Sequence, residues 1–271
     1  MTRPPARPRL FFSFRSPYSW LTIRRLRATV PTAFTDLDWF PYWDPDARTA
    51  EALATRGAEF HYVQMSRAKH LYLLMDTKRL VQHEGVPMAW PIDVDPHWEV
   101  PHLGWLAARR AGRAEPFYDE VVAARWERGE NICDPGVVAG CAERAGVDPA
   151  VVTGAVDDPQ LRAEGADCLE RAYLDDIFGI PYLKWGRHRF WGLDRLDGFL
   201  ELWRPDPAAA GNGSGTAAAG NGSGTAAAGN GSGTAAAVVA GAVPAEVGLP
   251  DRAEAIVAAG GYDTDTTGGC G

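Results

Sequence analysis

The fold is decided by one stretch, Leu10-Phe11-Phe12-Ser13-Phe14-Arg15-Ser16-Pro17-Tyr18-Ser19-Trp20. Its apolar half predicts a buried strand. Ser16 and Pro17 predict a helix start, because a serine caps free N–H groups and a proline has no N–H to leave unpaired. The free N–H groups and the positive end of the helix dipole favour an anion above Ser16. An ordinary capped helix after an edge strand explains the same residues without any ligand.

The residues that follow extend this unit to strand, helix and strand. The pattern predicts a helix that continues to Val30 and a second strand over residues 33–40. Strands joined by a helical crossover are expected to be parallel. A helical block is predicted from about Thr49 to about Gly179, with an interruption at residues 87–101. A hairpin at Trp185-Gly186-Arg187 and a last helix that ends at Trp203 complete the α/β pattern.

Three motifs resemble a known family. Ser-Pro-Tyr-Ser-Trp-Leu at 16–21, the helix of residues 69–87 with its Gly-Val-Pro exit, and Gly-Ile-Pro with Trp-Gly-Leu-Asp-Arg-Leu at 179–196 are similar to segments of 2-hydroxychromene-2-carboxylate isomerases and kappa-class glutathione transferases. These belong to the DsbA-like branch of the thioredoxin fold. The resemblance implies a thioredoxin-like sheet domain at residues 1–48 and 177–207, with an all-helical insertion at 49–176.

The resemblance also implies a site. Ser16 would be the catalytic residue that holds the thiolate of glutathione, Ile180 and a cis Pro181 would dock the backbone of the cofactor, and Asp194 would bind its amino end. Asp194 is also the expected cap of the last helix.

Substrate contacts are expected from Tyr18 and from one face of the helix over residues 69–87. Lys69, Tyr72, Asp76 and Arg79 are spaced three, four and three residues apart, so they share that face. It could be a solvated ladder of ion pairs, or it could line the cleft, where Lys69 and Arg79 would meet an anionic substrate.

Two departures from the family bear on the chemistry. Ser16 and Ser19 stand where the oxidoreductase members have a Cys-x-x-Cys pair, so a dithiol oxidoreductase is not expected. Leu193 replaces a serine or asparagine, and residues 43–46 read Trp-Asp-Pro-Asp in place of the asparagine, basic residue and two prolines that the family often shows. Both changes remove polar contacts to glutathione, so another low-molecular-weight thiol or a peptide could occupy the groove.

Composition narrows the class of protein. All ten tryptophans of the 271 residues lie before residue 208, which places the folded part there. The net charge of −8 comes without a basic stripe, so nucleic acid is not an expected partner. No signal peptide or membrane span is visible, and we expect a cytoplasmic protein. The four cysteines, Cys133, Cys141, Cys168 and Cys270, show no metal-ligand or redox spacing, so buried thiols and no metal site are expected.

The C-terminal part has a different character. A nonapeptide, Gly-Asn-Gly-Ser-Gly-Thr-Ala-Ala-Ala, occurs three times without change over residues 211–237. This predicts a flexible linker at 208–237, either engineered or recently duplicated. Residues 238–271 hold a candidate helix, a Gly-Gly joint and Cys270, a layout that resembles the leader and core of ribosomally made, modified peptides. A disordered native extension with a free cysteine explains the same residues.

Three functions are compatible with these features. The first is a thiol-dependent isomerase or transferase for a small molecule. The second is an enzyme that modifies a peptide, represented by the tethered C-terminal segment with Cys270 as a substrate residue. The third is a peptide-binding module without catalysis. The resemblance further implies a possible homodimer.

Overall fold

A computed structural model describes residues 7–61 and 65–203. The predicted linker at 208–237, the segment 238–271 and Cys270 lie outside the described residues. None of the helices within the described ranges is long and apolar enough to cross a bilayer.

The chain alternates between a small sheet and many helices. Its first part forms β1 (Arg9–Phe12), α1 (Pro17–Thr29), α2 (Ala33–Asp36), β2 (Asp38–Pro41), α3 (Ala47–Thr55) and α4 (Arg67–Glu84). The central part forms α5 (Glu99–Arg110), α6 (Ala114–Val122, continued by a π-helical turn over Ala123–Glu127), α7 (Pro135–Ala145), α8 (Pro149–Thr153) and α9 (Pro159–Leu174). The last part forms β3 (Tyr182–Trp185), β4 (His188–Trp191), a 3₁₀ turn (Leu193–Arg195) and α10 (Leu196–Leu202).

The sheet joins the two ends of the described chain in the order β2-β1-β3-β4. β1 and β2 are parallel, as predicted for a strand–helix–strand unit. β3 runs antiparallel to β1 and pairs with β4 across the predicted hairpin. The prediction of a strand over residues 33–40 was half wrong, because residues 33–36 form the short helix α2 and the strand begins at Asp38.

The core lies between the sheet and the helices and is largely aromatic. Phe12 at the end of β1 meets Trp39, Trp105 and Tyr118 edge to face, with ring centroids 5.3–5.8 Å apart. Such pairs add about 0.5–1.5 kcal/mol beyond the burial of their area. α9 packs close to α5 because Gly165 has no side chain, and a Cβ there would lie 2.7 Å from Leu103. The end of β1 is therefore fixed from both the sheet and the helical side.

The opposite end of β1 is held by ion pairs. Asp175 is buried and accepts hydrogen bonds of 2.6 Å from Arg9 of β1 and from Lys184 of β3. Burial acts to raise the pKa of Asp175, but the two cations outweigh it and hold that pKa below its usual range. The ion pairs thus hold the first residue of β1, and the chain turns into α1 at the other, carboxyl end of the strand.

Candidate active site

Residues 13–19, which lead from the end of β1 into the first turn of α1, are called the serine turn. Ser16 is the N-cap of α1, and its hydroxyl oxygen accepts a hydrogen bond of 3.2 Å from the Ser19 N–H. Ser19 in turn accepts from the Ser13 N–H at 3.3 Å. Ser16 and Ser19 are almost completely buried. Because the Ser16 oxygen already accepts, its own O–H is the group left to donate to a ligand.

A buried histidine contacts the backbone and a side chain of this turn. His102 of α5 lies 2.7 Å from the Trp98 carbonyl through Nδ1, so Nδ1 carries the proton. Its Nε2 then accepts from the Phe14 N–H at 3.2 Å and lies 3.2 Å from the Ser13 hydroxyl. Burial lowers the pKa of His102 to about 3, so the ring is neutral at pH 7. No sequence pattern singled out His102, which lies on α5 among the apolar residues between Val100 and Ala108.

The predicted substrate face of α4 reaches the serine turn through one hydrogen bond. The Tyr18 hydroxyl donates to Asp76 at 2.7 Å, and Asp76 also accepts from Arg79 at 2.9 Å. The Arg79 guanidinium lies over the exposed Tyr72 ring, 5.6 Å from its centroid. Burial, and then the bond to Asp76, raise the pKa of Tyr18, so the phenol keeps its proton at neutral pH. Lys69 is exposed on the same helix.

The carboxylate of Asp194 also acts to raise the pKa of the Tyr18 phenol. Its predicted role as a helix cap was wrong. Within residues 65–203, neither the 3₁₀ turn that follows Gly192 nor α10, which follows Arg195, has a side-chain cap. Asp194 lies inside the 3₁₀ turn and is exposed. Its carboxylate is therefore not used for capping.

The cis-proline bend lies at the same end of the sheet as the serine turn. The Ile180–Pro181 peptide bond, for which the sequence predicts a cis conformation, is cis in the structure. Phe11 pairs with Tyr182 in antiparallel register, so the residues just before Tyr182 face those just after Phe11. Ile180 and Ser13 are thus brought to one edge, although they are far apart in the sequence. Among the described residues, none forms a hydrogen bond to the backbone of Ile180.

The cysteines of the described region supply no thiolate to this arrangement. Cys133, Cys141 and Cys168 are free and buried, as expected. Burial raises the pKa of Cys133 and of Cys168 to about 12 and that of Cys141 to about 11, so all three are protonated at pH 7. A protonated thiol is a poor nucleophile. The serine turn therefore has no reactive sulfur of its own from these residues.

One group of side chains has the composition of a metal site. Asp46, His97 and Glu99 offer ligand atoms that lie within 4.8 Å of one another. Asp46 is already held by Arg162, at 2.8 Å, and by the Thr49 N–H, at 2.8 Å. Burial acts to raise the pKa of Asp46, but these partners outweigh it and hold that pKa at about 2. The charge on Asp46 is thus already balanced by a protein cation.

The comparisons with known proteins agree with this fold. A family model, described as a DSBA-like thioredoxin domain, matches residues 9–203. The chain belongs to this family. Within it, the chain is 27% identical to a 2-hydroxychromene-2-carboxylate isomerase of Sphingobium xenophagum over 200 residues, which is 72% of this chain and 96% of the relative.

Two solved structures show the same DSBA-like fold. A 2-hydroxychromene-2-carboxylate isomerase is similar with a TM-score of 0.57 at 21% identity, covering 73% of this chain and 94% of its own. A probable DsbA oxidoreductase of Streptomyces coelicolor follows with 0.54 at 17% identity, covering 78% and 92%. The predicted fold class, a thioredoxin-like sheet with helices between its two halves, is confirmed.

Proposed function

We propose that this chain is an isomerase that uses a low-molecular-weight thiol bound at the serine turn. The observation that carries this proposal is the meeting of a serine-capped helix start with a cis-proline bend at one edge of the sheet. The similarity to a 2-hydroxychromene-2-carboxylate isomerase over nearly its full length supports the same reaction class.

Ser16 and the start of α1 would stabilise the thiolate of the cofactor. The Ser16 O–H can donate to a sulfur anion, and the positive end of the helix dipole lowers the pKa of a thiol placed there. α1 has no acidic residue in its first turn that would oppose this charge. Ser16 is fully covered, so a sulfur atom that contacts its hydroxyl must displace a neighbouring side chain.

The two other predicted cofactor residues fit the backbone of a small peptide thiol. The N–H and carbonyl of Ile180, which no described residue uses, could pair with an extended peptide in the manner of a strand. Pro181 itself is engaged, because its carbonyl accepts from the Gly192 N–H at 2.9 Å. Asp194 would bind a cofactor amino group as a salt bridge. Its neighbour Leu193 offers no second polar contact, so we expect weaker discrimination between thiols.

The chemistry comes from the thiol. A bound thiolate can add reversibly to an unsaturated substrate and leave again, which allows rotation about the former double bond without net oxidation. Tyr18, held as a donor to Asp76, and the face with Lys69, Tyr72 and Arg79 would orient the substrate. Ser16 and Ser19 cannot form a disulfide, so we do not propose dithiol exchange for this chain.

The direct test is isomerisation of 2-hydroxychromene-2-carboxylate, followed by absorbance, with and without glutathione. We expect turnover only with a thiol, and a loss of about tenfold to a hundredfold in kcat/KM for Ser16→Ala, the value of a hydrogen bond to a charged group. Full turnover of Ser16→Ala, or turnover without any thiol, would contradict the proposal.

The identity of the thiol can be tested in the same assay. Glutathione, free cysteine and a synthetic peptide of residues 262–271, which contains Cys270, would be compared at equal concentration. Dependence on glutathione alone supports a small-molecule isomerase. A mass change of the peptide in the presence of the enzyme would instead support the modification of a peptide by the same site.

A further inference from the structure

A small cavity of about 30 Å³ lies beside the serine turn and touches both neighbours of Ser16, which are Arg15 and Pro17. Its other walls include His70 and Leu73 of α4, Asp93, and the π-helical turn that carries Arg125. A volume of this size holds about two water molecules or one carboxylate.

Two arginines, Arg15 and Arg125, and one carboxylate, Asp93, line this cavity. Arg125 is 3% exposed and donates from both terminal nitrogens to the two carboxylate oxygens of Asp93, at 2.8 Å each. This bidentate pair uses both oxygens of Asp93. Burial acts to raise the pKa of Asp93, but Arg125 outweighs it and Arg15 acts in the same direction, so Arg15 lies close to this pair.

Arg15 itself lacks a partner for one of its donors. Its Nη1 is buried and, within residues 7–61 and 65–203, has no hydrogen-bond acceptor. The guanidinium lies over the Trp98 ring, 5.4 Å from its centroid, which holds its plane in place. A buried charged donor without a partner is costly, and an anion would offset that cost. The start of α1 adds its positive dipole at Pro17, which also favours a negative group.

We infer that Arg15 binds a carboxylate group of the substrate in this cavity, an assignment that deepens the proposed function and rests on it for the word substrate. Among anions, a carboxylate matches both the size of the cavity and the planar fork of a guanidinium. The acid group would then lie next to the serine turn, which places the rest of the molecule beside the proposed thiol. Arg15 is thus a residue that determines specificity for acids over neutral analogues.

The inference can be tested by binding alone. The probes are trans-cinnamate and its neutral analogue trans-cinnamamide, titrated by calorimetry against the full chain without any thiol. We expect the wild-type protein to bind cinnamate at least tenfold more tightly than cinnamamide. Arg15→Gln should remove this preference, and Arg15→Lys, which keeps the charge without the fork, should keep part of it.

Arg24→Gln is the matched control. Arg24 lies on α1 with an exposed side chain and a long contact of 4.0 Å to Glu84, so its loss should leave the preference unchanged. Thermal unfolding of each variant would show that it is folded. Equal binding of the two probes to the wild-type protein, or an unchanged preference in a folded Arg15→Gln, would overturn the inference.

The same experiment separates this inference from the proposed function. If cinnamate binding depends on Arg15 but no thiol supports isomerisation, the acid site stands and the isomerase proposal fails. If isomerisation depends on Ser16 but Arg15→Gln binds and turns over acids normally, the reverse holds.

Discussion

Two helix starts in this protein use the same device for different ends. α9 begins with Asp158 followed by Pro159, and the Asp158 carboxylate accepts from the N–H groups of residues 160 and 161. α1 begins with Ser16 followed by Pro17, and the serine accepts a single N–H. α7 and α8 also begin with an aspartate followed by a proline, at Asp134 and Asp148. The neutral serine is therefore the exception among these four starts.

The difference is one of charge and burial. An aspartate both caps the free N–H groups and neutralises the positive end of the dipole, which suits a helix that only has to be stable. Asp134 and Asp148 are exposed, as ordinary caps are, whereas Ser16 is fully buried. A serine cap leaves the dipole of α1 available to an external anion. The contrast supports a role for the start of α1 in binding and for the start of α9 in stability alone.

The largest expected effect separates these roles by activity. Ser16→Ala should lower kcat/KM by about tenfold to a hundredfold, because it removes a donor to the proposed thiolate. The comparison would break if a folded Ser16→Ala and Asp158→Ala lost activity to the same degree, since the start of α1 would then have no special role. The measurement is initial rate against substrate concentration at saturating glutathione.

The next effect concerns the hydrogen bond that holds the serine turn before α1. His102→Leu leaves the Phe14 N–H buried without its acceptor, which should lower the free energy of unfolding by about 1–3 kcal/mol. Chemical denaturation at pH 7 would measure this loss. Leu103→Val, on the same helix, shortens a buried apolar side chain without removing a hydrogen bond and serves as a control for packing. A loss below about 0.5 kcal/mol in His102→Leu would mean that the turn does not depend on this histidine.

The same histidine predicts a pH dependence. His102 stays neutral in the folded protein down to about pH 3, whereas an unfolded histidine takes up a proton near pH 6.5. The unfolded state therefore binds more protons between these values, so stability falls as the pH is lowered, by up to about 1.4 kcal/mol per pH unit from this group. Denaturation midpoints from pH 7 to pH 4 should fall less steeply in His102→Leu. Parallel curves for the two proteins would contradict this.

A smaller effect is expected at the link between α1 and α4. Tyr18→Phe keeps the ring but removes the hydrogen bond to Asp76, worth about 0.5–1.5 kcal/mol. If Tyr18 also orients the substrate, KM should rise about threefold to tenfold in addition to this loss of stability. An unchanged KM with a lower melting temperature would assign the bond to structure instead, and would narrow the site to the serine turn.

The smallest effect is expected at the start of α9. Asp158→Ala should cost about 1 kcal/mol of stability, the usual value of a lost cap, and leave kcat/KM unchanged. Thermal unfolding and the isomerase assay on one preparation would measure both. A fall in kcat/KM without a fall in stability would show that α9 contributes to the site.

The sequence predicted what local patterns determine. The strand before Ser16, the cap at Ser16, the parallel pair and the hairpin at Gly186 follow from short-range signals, and all are present. The error at residues 33–36 arose because Ala-Phe-Thr-Asp, two apolar residues followed by two polar ones, lacks the alternation of a strand and fits a helical turn. The sequence predicts Asp194 as a cap because an aspartate often has that role, but a 3₁₀ turn precedes the helix.

Contacts between distant residues could not be predicted in this way. His102 lies 88 residues from Phe14, and no local pattern shows that its ring accepts the Phe14 N–H. Arg15 was visible next to Ser16, but its unpartnered nitrogen and the adjacent cavity depend on Trp98 and Asp93 from another part of the chain.

The burial of the three described cysteines has a consequence for oxidative stress. Hydrogen peroxide attacks thiolates, and these sulfur atoms are held as covered thiols. In an enzyme with a reactive cysteine pair, the redox poise of the surroundings sets whether that pair is oxidised or reduced. The three described cysteines offer peroxide no comparable target, so under the proposed function the activity would follow the supply of thiol rather than the state of these sulfur atoms.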